Sequence, residues 1–136
     1  MNAMEVGLNA EYAAIYAYGA YSHYLGGPTA DMAEAIEEQH RQRRDRLLVW
    51  FAENDAQPPT PQPAYELDQA QDGTDAVAAL MATEEAVATA WRSVVHTDEV
   101  DQRKICVEML CAAASTLVRW RVAAGEIPTQ PWPGRP

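Results

Sequence analysis

Residues 57–69 read QPPTPQPAYELDQ, and the distance this stretch can span decides how the rest of the chain is arranged. Four of its first seven residues are proline. Proline fixes φ and removes a backbone donor, so the segment favours an extended run at roughly 3.1 Å per residue. Thirteen such residues reach about 40 Å. The helical pattern before them, at roughly 26 residues and 1.5 Å each, is about 39 Å long. The linker can therefore travel the length of one helix and begin the next at the opposite end.

Outward from that linker, apolar periodicity predicts four helices, over about 5–25, 30–56, 69–96 and 98–124, with the crossover at 57–68. Gly26-Gly27-Pro28 closes the first, Thr29 is the expected N-cap of the second, and Thr97 of the fourth. Asp68 with Gln71 three residues on fits a capping box for the third, which Gly73 allows to start late. The inward stripes are expected at Leu8, Glu11, Ile15, Tyr18, Ser22 and Leu25; at Ala33, Glu37, His40, Arg44, Leu47 and either Phe51 or Trp50; at Val77, Met81, Glu84, Ala88, Trp91 and Val95; and at Val100, Arg103, Val107, Leu110, Ala114 and Leu117. The first and last connections are a few residues long and join antiparallel neighbours. Two antiparallel hairpins joined by one long Pro-rich crossover is the ferritin-like four-helix bundle, an all-α fold. Residues 1–126 are expected to form that one domain. The tail 127–136, IPTQPWPGRP, is expected to be flexible or to drape over the bundle through Trp132.

Composition bounds the function. The chain has 136 residues, 48% of them hydrophobic, which is long enough for a core without disulfide or metal. Its net charge of −10 repels phosphate backbones, so no nucleic-acid partner is expected. Cys106 and Cys111 lie about 140° apart on a helix and form neither a redox pair nor a metal clamp, which points to buried free thiols and a cytoplasmic compartment. No apolar run reaches the roughly 18–20 residues of a membrane span.

A bundle di-metal site uses a glutamate from each of two helices and Glu-x-x-His from each of the other two. Here Glu37-Glu38-Gln39-His40 supplies the second pattern once, and Glu108-Met109-Leu110-Cys111 has cysteine where histidine belongs. The candidate ligands are Glu11, His40, Glu84 (or its neighbour Glu85) and Glu108, for iron or manganese as the alternative to no cofactor. With the first turn centred near Pro28, Glu11 falls level with Arg44, one turn from His40 and nearly 12 Å from Glu37 along the axis. A guanidinium at Arg44 would fill the space of a dication. The expectation is instead an internal network of Glu11, His40 and Arg44, with Glu84 as a further candidate member, and no di-metal centre. In the second hairpin, a turn centred near Thr97 sets Glu84 and Glu85 opposite Leu110 and Glu108.

Tyr12, Tyr16, Tyr18, Tyr21 and Tyr24 surround the first helix. One small bundle cannot hide aromatics on several sides of a helix, so a homodimer through that helix is expected. Within EEQHRQRRDR, residues 37–46, four arginines stand among three acids and a histidine, which leaves a small-anion site as a further alternative.

Three stretches carry a family resemblance: AEYAAIYAYGAYSHYLGG at 10–27, HRQRRDRL at 40–47 and PPTPQPAYEL at 58–67. They resemble an uncharacterised ferritin-like domain family best known from actinobacteria. That resemblance implies a ferritin-like bundle, the family's glutamate at Glu11 and a polar cluster at His40, Arg41, Arg44 and Asp45. It implies no activity, and whether the chain is an enzyme stays open.

Overall fold

The computed structural model describes residues 1–129 and 134. Four helices, α1 (Ala3–Tyr21), α2 (Gly27–Glu53), α3 (Gly73–Val94) and α4 (Val100–Ala123), carry the fold, with no strand among the described residues. It is a ferritin-like four-helix bundle. Asn2 caps α1 by accepting from Glu5 N–H at 2.9 Å, and Asp72 caps α3 by accepting from Asp75 N–H at 2.9 Å. The caps expected at Thr29, Asp68 and Thr97 are not used; α4 starts after Glu99 with no side-chain cap. Helix α2 starts after Gly26 with Pro28 in its first turn, and α3 starts late, at Gly73.

These starts change the register of the first hairpin. Helix α1 stops at Tyr21, a 3-10 turn follows over Ser22–Tyr24, and Gly27 reverses the chain at φ +58, where a β-carbon would be strained. The turn therefore centres several residues before Pro28. Glu11 meets His40 directly instead of lying one turn away from it.

The crossover behaves as its length predicts. From the end of α2 it runs over the outer face of α1: Tyr12 Oη donates to the Pro59 carbonyl at 3.2 Å, the rings of Tyr16 and Tyr65 meet at a tilt with centroids 5.3 Å apart, and Tyr21 Oη donates to the Asp68 carbonyl at 2.5 Å. Helix α3 then runs antiparallel to α1, with Gly7 against Trp91 near one end and Tyr18 against Glu84 further along. The tyrosines that seemed too many for one bundle thus hold the crossover, apart from Tyr18, which is fully buried, and Tyr24.

Two apolar clusters fill the interior. One gathers Met4, Leu8, Leu47, Phe51, Trp91 and Met109; the other gathers Ala17, Tyr21, Ile36, Leu80 and Trp120. The predicted stripe of α4 is rotated by about one residue. Cys106, Met109, Ala113, Thr116 and Trp120 face inward, while Val100 and Val107 face out. The tail expectation, with Trp132, lies largely outside the described residues. Of that segment, Gly134 is buried against the backbone of α3, where an added β-carbon would sit 2.5 Å from the Ala88 carbonyl oxygen.

Candidate functional site

Between the two apolar clusters lies a polar layer that draws on every helix. Helix α1 supplies Glu11 and Tyr18, seven residues apart and so two turns along one face. Helix α3 supplies Glu84 and Trp91 at the same spacing, α2 supplies His40, and α4 supplies Trp120. All six are fully buried.

Their hydrogen bonds form one chain. Trp91 Nε1–H donates to Glu11 Oε1 at 3.1 Å, and His40 Nδ1 lies 2.5 Å from Glu11 Oε2. The other ring nitrogen, Nε2, lies 2.6 Å from Glu84 Oε1. Tyr18 Oη donates to that same oxygen at 2.6 Å and accepts from Trp120 Nε1–H at 2.7 Å. A neutral imidazole has one N–H, whereas two carboxylate contacts require two. With both acids ionised, His40 as an imidazolium can donate one N–H to each.

The electrostatics agree. Burial is the largest influence on His40 and opposes its charge, but the charge of Glu84 and the hydrogen bonds from Glu11 and Glu84 outweigh it and raise the pKa to about 9. Tyr18 is held far above the ordinary phenol range, first by burial and then by the adjacent Glu84, so it stays a donor. One atom is left over. Glu84 Oε2 is buried with no hydrogen-bond partner.

The expected site residues divide. Glu11, His40 and Glu84 come together. Arg44 does not face Glu11; its Nε donates to Asp45 at 2.9 Å on the partly exposed side of α2. Arg41 pairs with Glu37 one turn back. Glu108 is at the surface, 2.7 Å from Arg46, and Glu85 reaches Arg121 at 3.1 Å instead of Glu108. The rotation of α4 and the register of the second hairpin put those acids outside the layer. In place of Arg44, the half-buried Arg43 approaches, with Nη1 3.4 Å from His40 Nδ1. Sequence reasoning missed Arg43, Trp91 and Trp120 as members of the layer. The seven-residue spacing of Glu84 and Trp91 was the signal available for one of them.

A bridged di-metal centre does not fit these residues. Both nitrogens of the one histidine in the layer are turned to carboxylates at hydrogen-bond distance, and the Cys111 side of α4 adds no ligand. The bare Glu84 oxygen is one donor, where a metal site needs several converging on a point. Among the described residues, no group of three or more His, Cys, Asp or Glu is arranged to hold a metal ion. No helix among them is long and apolar enough to cross a membrane.

A family model described as a domain of unknown function (DUF4439) matches residues 3–136. The chain is similar to a conserved hypothetical protein, rv2844, from Mycobacterium tuberculosis, known from a crystal structure. The two are 30% identical with a TM-score of 0.82, over 89% of this chain and 93% of that one. No curated protein matches.

Proposed function

We propose that this chain, which belongs to the family of domains of unknown function DUF4439, is a ferritin-like bundle in which a buried imidazolium takes the central place of a metal. Glu11, His40, Glu84 and Tyr18 then act as an ion network that locks three helices in register, and the protein works without oxygen-activating chemistry. The observation that carries this is the pair of contacts from His40, 2.5 Å to Glu11 and 2.6 Å to Glu84, which engages both ring nitrogens. A register-fixing role is among the best attested uses of buried polar groups.

The test has two parts. The protein is incubated with iron(II) and with manganese(II), desalted and assayed for bound metal, and the His40 ring nitrogens are followed by NMR. The expected result is less than one metal per chain and a doubly protonated ring at neutral pH. Two metals retained per chain would restore the oxidoreductase alternative.

Residues 1–126 are proposed as one folding unit. A cytoplasmic compartment agrees with the free thiols of Cys106 and Cys111. A homodimer through α1 stays part of the proposal: the crossover engages Tyr12 and Tyr21 and Glu84 engages Tyr18, but Tyr16 and Tyr24 remain exposed and leave an aromatic surface for a second copy.

A further inference from the structure

The arginines of α2 are not equivalent. Arg41, Arg44 and Arg46 have carboxylate partners at 2.5, 2.9 and 2.7 Å, in Glu37, Asp45 and Glu108. Arg43 has no carboxylate within ion-pair distance among the described residues. Its contact is His40, donor facing donor once the ring is protonated. It is also placed unlike the others. The buried stripe of α2 runs Ile36, His40, Leu47, and Arg43 lies along it, one turn beyond His40. Its charge is felt at Tyr18.

A guanidinium carries five N–H donors in a planar fork that matches an oxyanion in two-point contact. Here that fork sits beside a second cation, His40, with no acid of its own. The groups against His40 are Glu11 and Tyr18 from α1, Glu84 from α3 and Arg43 from its own helix, with Trp91 of α3 and Trp120 of α4 behind Glu11 and Tyr18. All but Arg43 are sealed from water. Arg43 is therefore the layer's contact with solvent. In a chain of net charge −10, residues 37–46 hold four arginines and a histidine against three acids, a local surplus of positive charge.

We infer that Arg43 takes a small oxyanion of the phosphate class, and that its binding is transmitted to the buried layer through His40. The inference rests on the imidazolium reading above. An anion on the fork offsets the like-charge contact between Arg43 and His40, so it strengthens proton binding on the ring. By reciprocity the protonated ring strengthens anion binding. No bond is made or broken.

Inorganic phosphate is titrated into protein labelled for NMR, with sodium chloride at matched ionic strength as control. The His40 ring and the Trp91 and Trp120 indole N–H signals are followed. Phosphate is expected to shift them saturably and chloride not to. Arg43→Gln should weaken the response by at least about tenfold, because the two-point charged contact is gone. Arg43→Lys keeps the charge without the fork and should fall between. Arg44→Gln, on the exposed side, should respond as the unmodified protein does. Equal shifts in chloride, an undiminished response in the Arg43 variants, or no shift at tens of millimolar phosphate would each overturn the inference. If Arg43→Gln does not fold, the lysine variant and the chloride control still decide. The spectrum before phosphate separates the two ideas. A neutral or metal-bound ring sinks the imidazolium reading, whereas a protonated ring that ignores phosphate sinks only the oxyanion site.

Discussion

His40 Nε2 lies 2.6 Å from Glu84 Oε1, and this contact ties α2 to α3, the two helices that the crossover separates by nineteen residues, 54–72. Because the same ring also reaches Glu11 on α1, one side chain couples three helices. Perturbing it should be felt as global stability, not as local fraying.

The first consequence concerns pH. His40 rises from an ordinary 6.5 to about 9 on folding, so the native chain holds a proton that the unfolded chain has released. The resulting stabilisation is fully present below about pH 6.5, declines as pH rises toward 9 and is gone above it. A shift of this size corresponds to on the order of 3 kcal/mol. Urea unfolding from pH 6 to 10 should show that decline, and His40→Gln should flatten it. A wild-type midpoint independent of pH over this window would contradict the buried imidazolium.

Glu11→Gln removes one carboxylate and leaves the imidazolium half paired. Breaking a buried pair from one side costs about 3–5 kcal/mol. The variant should unfold at clearly lower urea, and its remaining folded fraction should titrate His40 at lower pH than the wild type. Glu108→Gln, which touches only the exposed Arg46 pair, should change stability by about 1 kcal/mol or less.

Tyr18→Phe deletes the acceptor of Trp120 Nε1–H while leaving the ring in place. A buried donor left without a partner costs about 1–3 kcal/mol. The indole of Trp120 should also show a changed N–H shift, and an unchanged shift together with an unchanged midpoint would remove Tyr18 from the chain of hydrogen bonds.

Gly7 is required by packing. A β-carbon there would sit 1.9 Å from Trp91 Cη2, and the atoms it meets belong to a fully buried indole that also donates to Glu11. Gly7→Ala must therefore displace Trp91. Overpacking of this kind costs about 1–3 kcal/mol, and the tryptophan emission should shift to the red as the indole gains water.

Gly134→Ala tests the packing of Gly134 on α3. Its φ is +74 and a β-carbon would lie 2.5 Å from the Ala88 carbonyl oxygen, so the contact cannot survive. Proteolysis in the segment after Gly125 should accelerate in the variant, with the bundle's urea midpoint changing far less than in Gly7→Ala. Equal cleavage rates would argue that the contact does not hold the segment.

The sequence by itself determined the architecture, because proline content and the length of residues 57–69 are local properties with a calculable reach. It also determined that Glu11, His40 and Glu84 belong to inward faces, since helical spacing from neighbouring apolar residues needs nothing from the partner helices. It did not determine which arginine follows His40. Arg43 and Arg44 lie about 60° and 40° to either side of it on a helical wheel, and periodicity cannot choose between such flanking positions. The choice falls to the packing of α2 against its neighbours, which gives Arg44 to Asp45 and turns Arg43 toward the ring. Register was likewise beyond the sequence. Stopping α1 at Tyr21 and folding the next residues into a 3-10 turn moves the hairpin's centre by several residues, and a displacement that small decides whether Glu11 meets His40 or a guanidinium. Turn geometry and side-chain packing are settled jointly by all four helices, so only the tertiary structure could set them.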